Sequence, residues 1–147
     1  MKPVPPHRRA AVPYLIVKGA QAAIQFYKNA FGATEQVRLD QPDGRIGHAE
    51  LSIDEAQFML ADEFSELVSR GPQPLSSSPV AIHVYVEDVD ALVKRAQAVG
   101  ATVPRPPEDQ FFGDRTAEVR DPFGHRWFFA TVLEEIGYEE MKRRAQQ

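Results

Sequence analysis

The sequence predicts an α+β fold of two tandem βαβββ modules. Two observations carry that prediction: an internal repeat at an offset of 68 or 69 residues, and the same succession of strand and helix periods inside each copy. Val17-Lys18-Gly19-Ala20-Gln21-Ala22-Ala23-Ile24 recurs in pattern as Val86-Glu87-Asp88-Val89-Asp90-Ala91-Leu92-Val93. Phe31-Gly32-Ala33-Thr34 returns as Val99-Gly100-Ala101-Thr102, and Ala49-Glu50-Leu51 as Ala117-Glu118-Val119. Gln57-Phe58-Met59-Leu60-Ala61 returns as Arg126-Trp127-Phe128-Phe129-Ala130. Four matches in one order are hard to attribute to chance.

The elements of each copy follow from periodicity. Ala20, Ala23, Ile24, Tyr27 and Phe31 fall on one face of a helix that Gly32 stops. Val89, Leu92, Val93, Ala96 and Val99 repeat the stripe, with Asp88 as N-cap and Gly100 as stop. A short apolar strand precedes each helix, Val12 to Val17 and Val80 to Val86, and three more strands follow it. Gln41-Pro42-Asp43-Gly44 and Asp121-Pro122-Phe123-Gly124 place Pro and Gly where a type I turn between strands wants them.

The predicted layout is a flexible Pro-rich lead at 1–10, a first module at 11–62, and a Ser-, Pro- and Gly-rich linker at 63–79. A second module at 80–133 and a terminal helix or tail at 134–147 complete it. A composition of 43% hydrophobic and 26% charged residues is that of a globular domain. A net charge of -4, with basic residues scattered apart from Lys142-Arg143-Arg144, offers no surface to track phosphates, so nucleic acid is not an expected partner. With no cysteine, disulfides and thiolate chemistry are excluded, and a reducing compartment fits. No apolar stretch serves as a signal or a membrane span, so the expected location is cytoplasmic, away from membranes.

Several short motifs then appear in a fixed order: Pro13-Tyr14-Leu15, Phe26-Tyr27 through Phe31-Gly32-Ala33, Gly47-His48-Ala49-Glu50, and Tyr85-Val86-Glu87-Asp88-Val89-Asp90. Glu108-Asp109-Gln110-Phe111, Gly113-Asp114-Arg115 and Asp121-Pro122-Phe123-Gly124-His125-Arg126-Trp127 follow. In these motifs the sequence resembles the vicinal oxygen chelate superfamily of glyoxalase, bleomycin-resistance and extradiol dioxygenase proteins, and within it the PhnB-like branch. The resemblance implies two modules whose curled mixed sheets surround a cavity, a small-molecule ligand, and a homodimer. Fold alone does not assign an activity.

Metal-using members of that superfamily draw ligands from the first and last strand of each module. Here those positions hold Val12, Met59, Ala81 and Phe128, none a donor for a hard or borderline cation, so no cofactor is expected. Strand alternation turns Tyr14, His48, Glu50 and Met59 of the first copy, and His83, Tyr85, Glu118 and Phe128 of the second, toward the cavity. His83 and Glu50 are the candidate acid and base, because a partly buried imidazole exchanges protons near neutral pH. The others line a ligand site, joined by Phe111 and Phe112 from a Pro-rich segment that could act as a lid or, equally, plug the core with one of those rings beneath a long loop. Glu50 and Glu118 could equally pair with Arg38, Arg115 or Arg120. Trp127 and Phe129 belong under the helices, and His7 and His125 in solvent.

Three readings compete. The first is a metal-free protein that binds a small, partly apolar organic molecule between its modules, whether or not it also transforms it. The second is a glyoxalase-type lyase or isomerase, or a dioxygenase, whose one divalent ion is displaced onto His48, Glu50, His83 and Glu118. The third is a non-catalytic interaction module.

Overall fold

A computed structural model of the chain describes residues 2–64, 66, 71–72 and 78–147. The first module comprises β1 (Tyr14–Val17), α1 (Ala20–Phe31), β2 (Thr34–Asp40), β3 (Ile46–Ile53) and β4 (Ala56–Asp62). The second comprises β5 (Ala81–Tyr85), α2 (Val89–Ala98), β6 (Thr102–Asp109), β7 (Asp114–Arg120) and β8 (Arg126–Val132), followed by α3 (Tyr138–Ala145). The linker expected at 63–79 lies partly outside the described residues. Each module builds its own four-stranded sheet, in the orders β1-β4-β3-β2 and β5-β8-β7-β6. In both, the first strand runs parallel to the last and the other neighbours are antiparallel. This is the fold class read from the repeat. Among the described residues no helix is long and apolar enough to cross a membrane.

Both helices begin and end on chemistry their sequences supply. Gly32 takes φ 70° and returns its N–H to the Tyr27 carbonyl, ending α1, while the Asp88 carboxylate accepts from the Ala91 N–H at the start of α2. The start of α1 is held from outside the helix. Asp62, at the end of β4, accepts from the N–H groups of Gly19 and Ala20 at 3.1 and 2.8 Å and from Ile46 at 2.7 Å, tying helix, last strand and third strand together. Thr131 holds the same place in the second module. It accepts from the Val89 N–H and donates to the Val86 carbonyl, both at 2.9 Å.

The two modules share one core, and α1 is its centre. Tyr27 contacts Phe58 of the first sheet and Trp127 of the second, with ring centroids 5.3 and 5.6 Å apart, and Phe31 lies 4.9 Å from Phe129. Tyr27, Trp127 and Phe129 are fully buried, as expected for the last two. Inside this aromatic cluster sits a carboxylate. Asp121, only 4% exposed, accepts from the Tyr27 hydroxyl at 2.6 Å and the Trp127 indole N–H at 3.0 Å. Its other oxygen accepts from the backbone N–H groups of Phe123 and His125 at 2.9 and 3.0 Å, which fixes the turn into β8. Burial, with the Asp121 charge and hydrogen bond adding to it, holds the Tyr27 phenol protonated well above its ordinary range. His125, expected in solvent, instead reaches the first module and bonds the Ile16 carbonyl at 3.0 Å.

The segment expected to form a lid or a plug is mostly strand. Pro104, Pro106 and Pro107 lie in β6, the edge of the second sheet, where a residue without an N–H costs no ladder bond on the open side. Its pairing with β7 shifts register around Arg105 to accommodate them. The following turn is pinned: the Gly113 carbonyl accepts from the N–H groups of Leu133 and Glu134, and Arg144 of α3 donates to the Phe111 carbonyl at 3.1 Å. Gly113 has φ 96°, and a Cβ there would collide with the Glu134 carbonyl.

Removing the Asp121 carboxylate orphans buried donors from both modules. Asp121→Ala is expected to cost about 4 kcal/mol and Tyr27→Phe about 2 kcal/mol. The exposed Asp43→Ala, which loses only surface bonds to Arg45, should shift stability far less than either. Urea unfolding of the three variants checks this, and a neutral Asp121→Ala would remove the carboxylate from its central place.

Candidate functional site

Because the helices lie between the sheets, the face of each sheet opposite its helix looks outward, and the expected site residues separate into two groups. Tyr14, His48, Glu50 and Met59 lie on the outer face of the first sheet, while His83, Tyr85, Glu118 and Phe128 lie on that of the second. The four groups proposed as a displaced metal set are thus divided between two sheets. Among the described residues no three His, Asp or Glu side chains are placed to hold an ion together. The positions where metal-using relatives keep ligands hold Val12, Met59, Ala81 and Phe128, which do not fit a divalent ion.

The second sheet carries a cavity of about 580 Å³. Phe112, Phe128, Pro104 and Pro106 form its apolar wall, and His83, Arg105, Glu108, Gln110, Thr116 and Glu118 supply its polar groups. Glu118 is 4% exposed and sits 3.3 Å from Arg126, with Arg105 at 4.0 Å. The Arg126 guanidinium lies 5.4 Å from the centre of the Phe128 ring, one strand position along the same face. Arg126 and Arg105 thus partner Glu118, rather than Arg38 or Arg115 from among the expected partners. Arg38 is committed to Glu35 and Gln21, and Arg115 to Asp90 and Asp109. Phe111 is half exposed and lies outside the cavity, its ring edge-on to Phe112 at 5.1 Å. Tyr85 also lies outside it and donates to the buried Asp114 at 3.0 Å, a bond that raises the phenol's pKa.

The first sheet carries a chain of hydrogen bonds. The Tyr14 hydroxyl is 2.8 Å from His48 Nδ1, His48 Nε2 is 2.9 Å from Glu50 Oε2, and Arg8 reaches the other Glu50 oxygen at 3.5 Å. Tyr14 stands beside Met59 on the neighbouring strand, and the small Ala61 two residues on leaves room for its ring to reach His48 across β4. The hydrogen bond from His48, helped by the Arg8 charge, holds the Glu50 carboxyl below the ordinary glutamate range. Burial, then the Glu50 charge, raises the Tyr14 phenol.

Register places the two groups at equivalent positions. Tyr14 and Glu50 flank Met59 as His83 and Glu118 flank Phe128, with His48 and Thr116 each two residues before the glutamate. Sequence reasoning missed Arg126 and Arg105 as site residues. Alternation from Phe128 points to Arg126, whereas the prolines around Arg105 disrupt any strand pattern. Arg8, in the Pro-rich lead, carried no signal at all.

Residues 9–129 match the family model of the Glyoxalase/Bleomycin resistance protein/Dioxygenase superfamily. The chain belongs to this superfamily. The uncharacterized protein Rv0887c of Mycobacterium tuberculosis is 42% identical over 136 residues, covering 90% of this chain and 80% of that protein. Among solved structures of the superfamily fold, TioX from Micromonospora is 27% identical at a TM-score of 0.63, covering 87% of this chain and 99% of that one. The Arabidopsis thaliana product of At5g48480 is 28% identical at a TM-score of 0.65, with coverages of 82% and 97%.

Glu50 has a depressed pKa, so its contribution to stability is complete above the unfolded value of about 4.3 and is lost as pH falls through the lower folded value. A carbon-detected NMR titration should place the Glu50 midpoint below that of an ordinary glutamate, and His48→Ala should move it upward. An unshifted midpoint in the variant would mean that His48 does not hold the carboxylate.

Proposed function

We propose that this protein binds a small, partly apolar organic molecule on the outer face of its second sheet, without the divalent ion that metal-using members of the superfamily employ. The observation that carries the reading is the cavity itself. An aromatic and proline wall faces a deeply shielded Glu118 whose charge two arginines balance, an arrangement that orients a ligand with one flat apolar end and one polar end. Arg126 serves twice, pairing with Glu118 and lying over Phe128. His83 places an imidazole in the pocket wall as its candidate acid or base. The motifs Gly47-His48-Ala49-Glu50 and Asp121-Pro122-Phe123-Gly124-His125-Arg126-Trp127 support membership of the PhnB-like branch.

Protein purified without chelator should carry no stoichiometric metal. In a thermal-shift screen of small metabolites and aromatic antibiotics, a binder should raise the melting temperature by about 2–4 °C, and Phe128→Ala and Glu118→Gln should each abolish the shift. Stoichiometric zinc, nickel, manganese or iron that is lost on mutating His83 or Glu50 would favour the displaced-metal enzyme. The absence of any binder in a broad panel would favour the interaction module.

We further infer a homodimer in which the first sheet of one copy covers the second sheet of the other. Each outer face is an open half-site bearing exposed rings, Tyr14 at 46% on one and Tyr85 at 58% on the other. One chain cannot bring Glu50 to the ligand beside His83, whereas two chains can, and this would make the pair the acid and base of one pocket. Light scattering at micromolar concentration should give about twice the 16.5 kDa chain mass. A monomeric mass would restrict the pocket to second-module residues.

A further inference from the structure

The first sheet holds an arrangement that is complete within one chain and does not depend on the second-sheet cavity or on the proposed dimer. His48 Nε2 lies 2.9 Å from a Glu50 oxygen and Nδ1 lies 2.8 Å from the Tyr14 hydroxyl. In the tautomer with its proton on Nε2, the imidazole donates to Glu50 and offers Nδ1 as acceptor to that hydroxyl. The order is shielded carboxylate, imidazole, hydroxyl. The side chains of Glu50 and His48 are 17% and 25% exposed, while Tyr14 at the open end is 46% exposed. A hydroxyl within hydrogen-bond distance of an imidazole oriented by a carboxylate is the arrangement by which weak oxygen nucleophiles are activated.

We propose that Tyr14, His48 and Glu50 form a base-activated phenol, a nucleophilic site for sulfonyl- or acyl-type electrophiles that carry a good leaving group. With a sulfonyl fluoride, the Tyr14 Oη–S bond forms, the S–F bond breaks, and fluoride departs with the bonding pair. The Tyr14 proton passes to His48 Nδ1, and the imidazolium that results is held by Glu50. Tyr14 is the reacting group, His48 the base, and Glu50 a positioning residue that acts through His48. Because the Tyr14 phenol's pKa is raised, the reaction depends on a base at the moment of attack. Among the described tyrosines Tyr14 is the one whose hydroxyl is hydrogen-bonded to an imidazole. The His83 ring contacts the Tyr85 ring, but the Tyr85 hydroxyl is given to Asp114. Tyr85 donates to a carboxylate, and Tyr138 lies in solvent near Lys142. The duplicated positions in the second sheet hold His83, Thr116 and Glu118, so the repeat has kept the carboxylate while losing hydroxyl and base in that order.

The test uses the whole chain and an aryl sulfonyl fluoride, with adducts located by peptide mass spectrometry. Tyr14 should be modified at least about 100-fold faster than Tyr85 and Tyr138, the lower end of the advantage a positioned base provides. Tyr14→Phe should remove that adduct. His48→Gly should reduce its rate to that of Tyr138, and added imidazole should restore it, which a purely structural histidine would not allow. His48→Gln, which fills more of the space, guards against a misfolded glycine variant and should be equally slow. For Glu50→Gln, nitrogen NMR should show His48 losing its single Nε2–H tautomer along with the rate advantage. Equal rates at the three tyrosines, or an unchanged Tyr14 rate in His48→Gln, would overturn the assignment.

Discussion

The buried carboxylate of Asp121 is the constraint on which the rest of the molecule depends. A charge shielded to this degree persists only with its hydrogen-bonding capacity filled, and its four donors come from α1, from β8 and from the turn between β7 and β8. Two of them sit on aromatic side chains that are themselves the centre of the core. Satisfying the charge therefore fixes the approach of the first module's helix to the second module's sheet, along with the angle of the strand that carries Arg126 and Phe128. Apolar packing alone would tolerate several ways of laying an aromatic helix on an aromatic sheet. One ion with four specific donors selects among them.

That selection explains the division of the site. Sharing one core through their helices turns the sheets back to back, and the residues that pattern assigns to an interior arrive on two separate outward surfaces. The duplicated half-sites have since diverged. One became a closed chain of hydrogen bonds across the sheet, and the other a walled cavity with balanced charge. In both, the glutamate survives at the equivalent register and its partners differ: a histidine and Arg8 on one side, two arginines on the other.

The fold was legible because repeat and periodicity are local properties. Strand alternation separates Tyr14, His83, Glu50 and Glu118 from the helix-facing residues, and the same alternation about Phe128 puts Trp127 and Phe129 under the helices, where both are fully buried. What alternation does not encode is which face of one module meets which face of the other. That depended on Asp121, whose Asp-Pro-Phe-Gly context reads as an ordinary surface turn. The same limitation hid His125, which follows that turn and yet bonds the backbone of the first module. The prolines near Arg105 suggested a loop, because the rule that excludes proline from strands weakens at a sheet edge, and edge position is a property of the whole sheet.

The prolines of β6 also bear on assembly. A strand edge with three residues lacking a backbone donor is a poor template for another chain's strand, so the second sheet is protected from extension on that side. Its opposite border, β5, has no such residues. Any growth of this sheet by backbone pairing is therefore polar: it can proceed from one end only, and the turn clamped by Gly113 and Arg144 belongs to the end that stays closed.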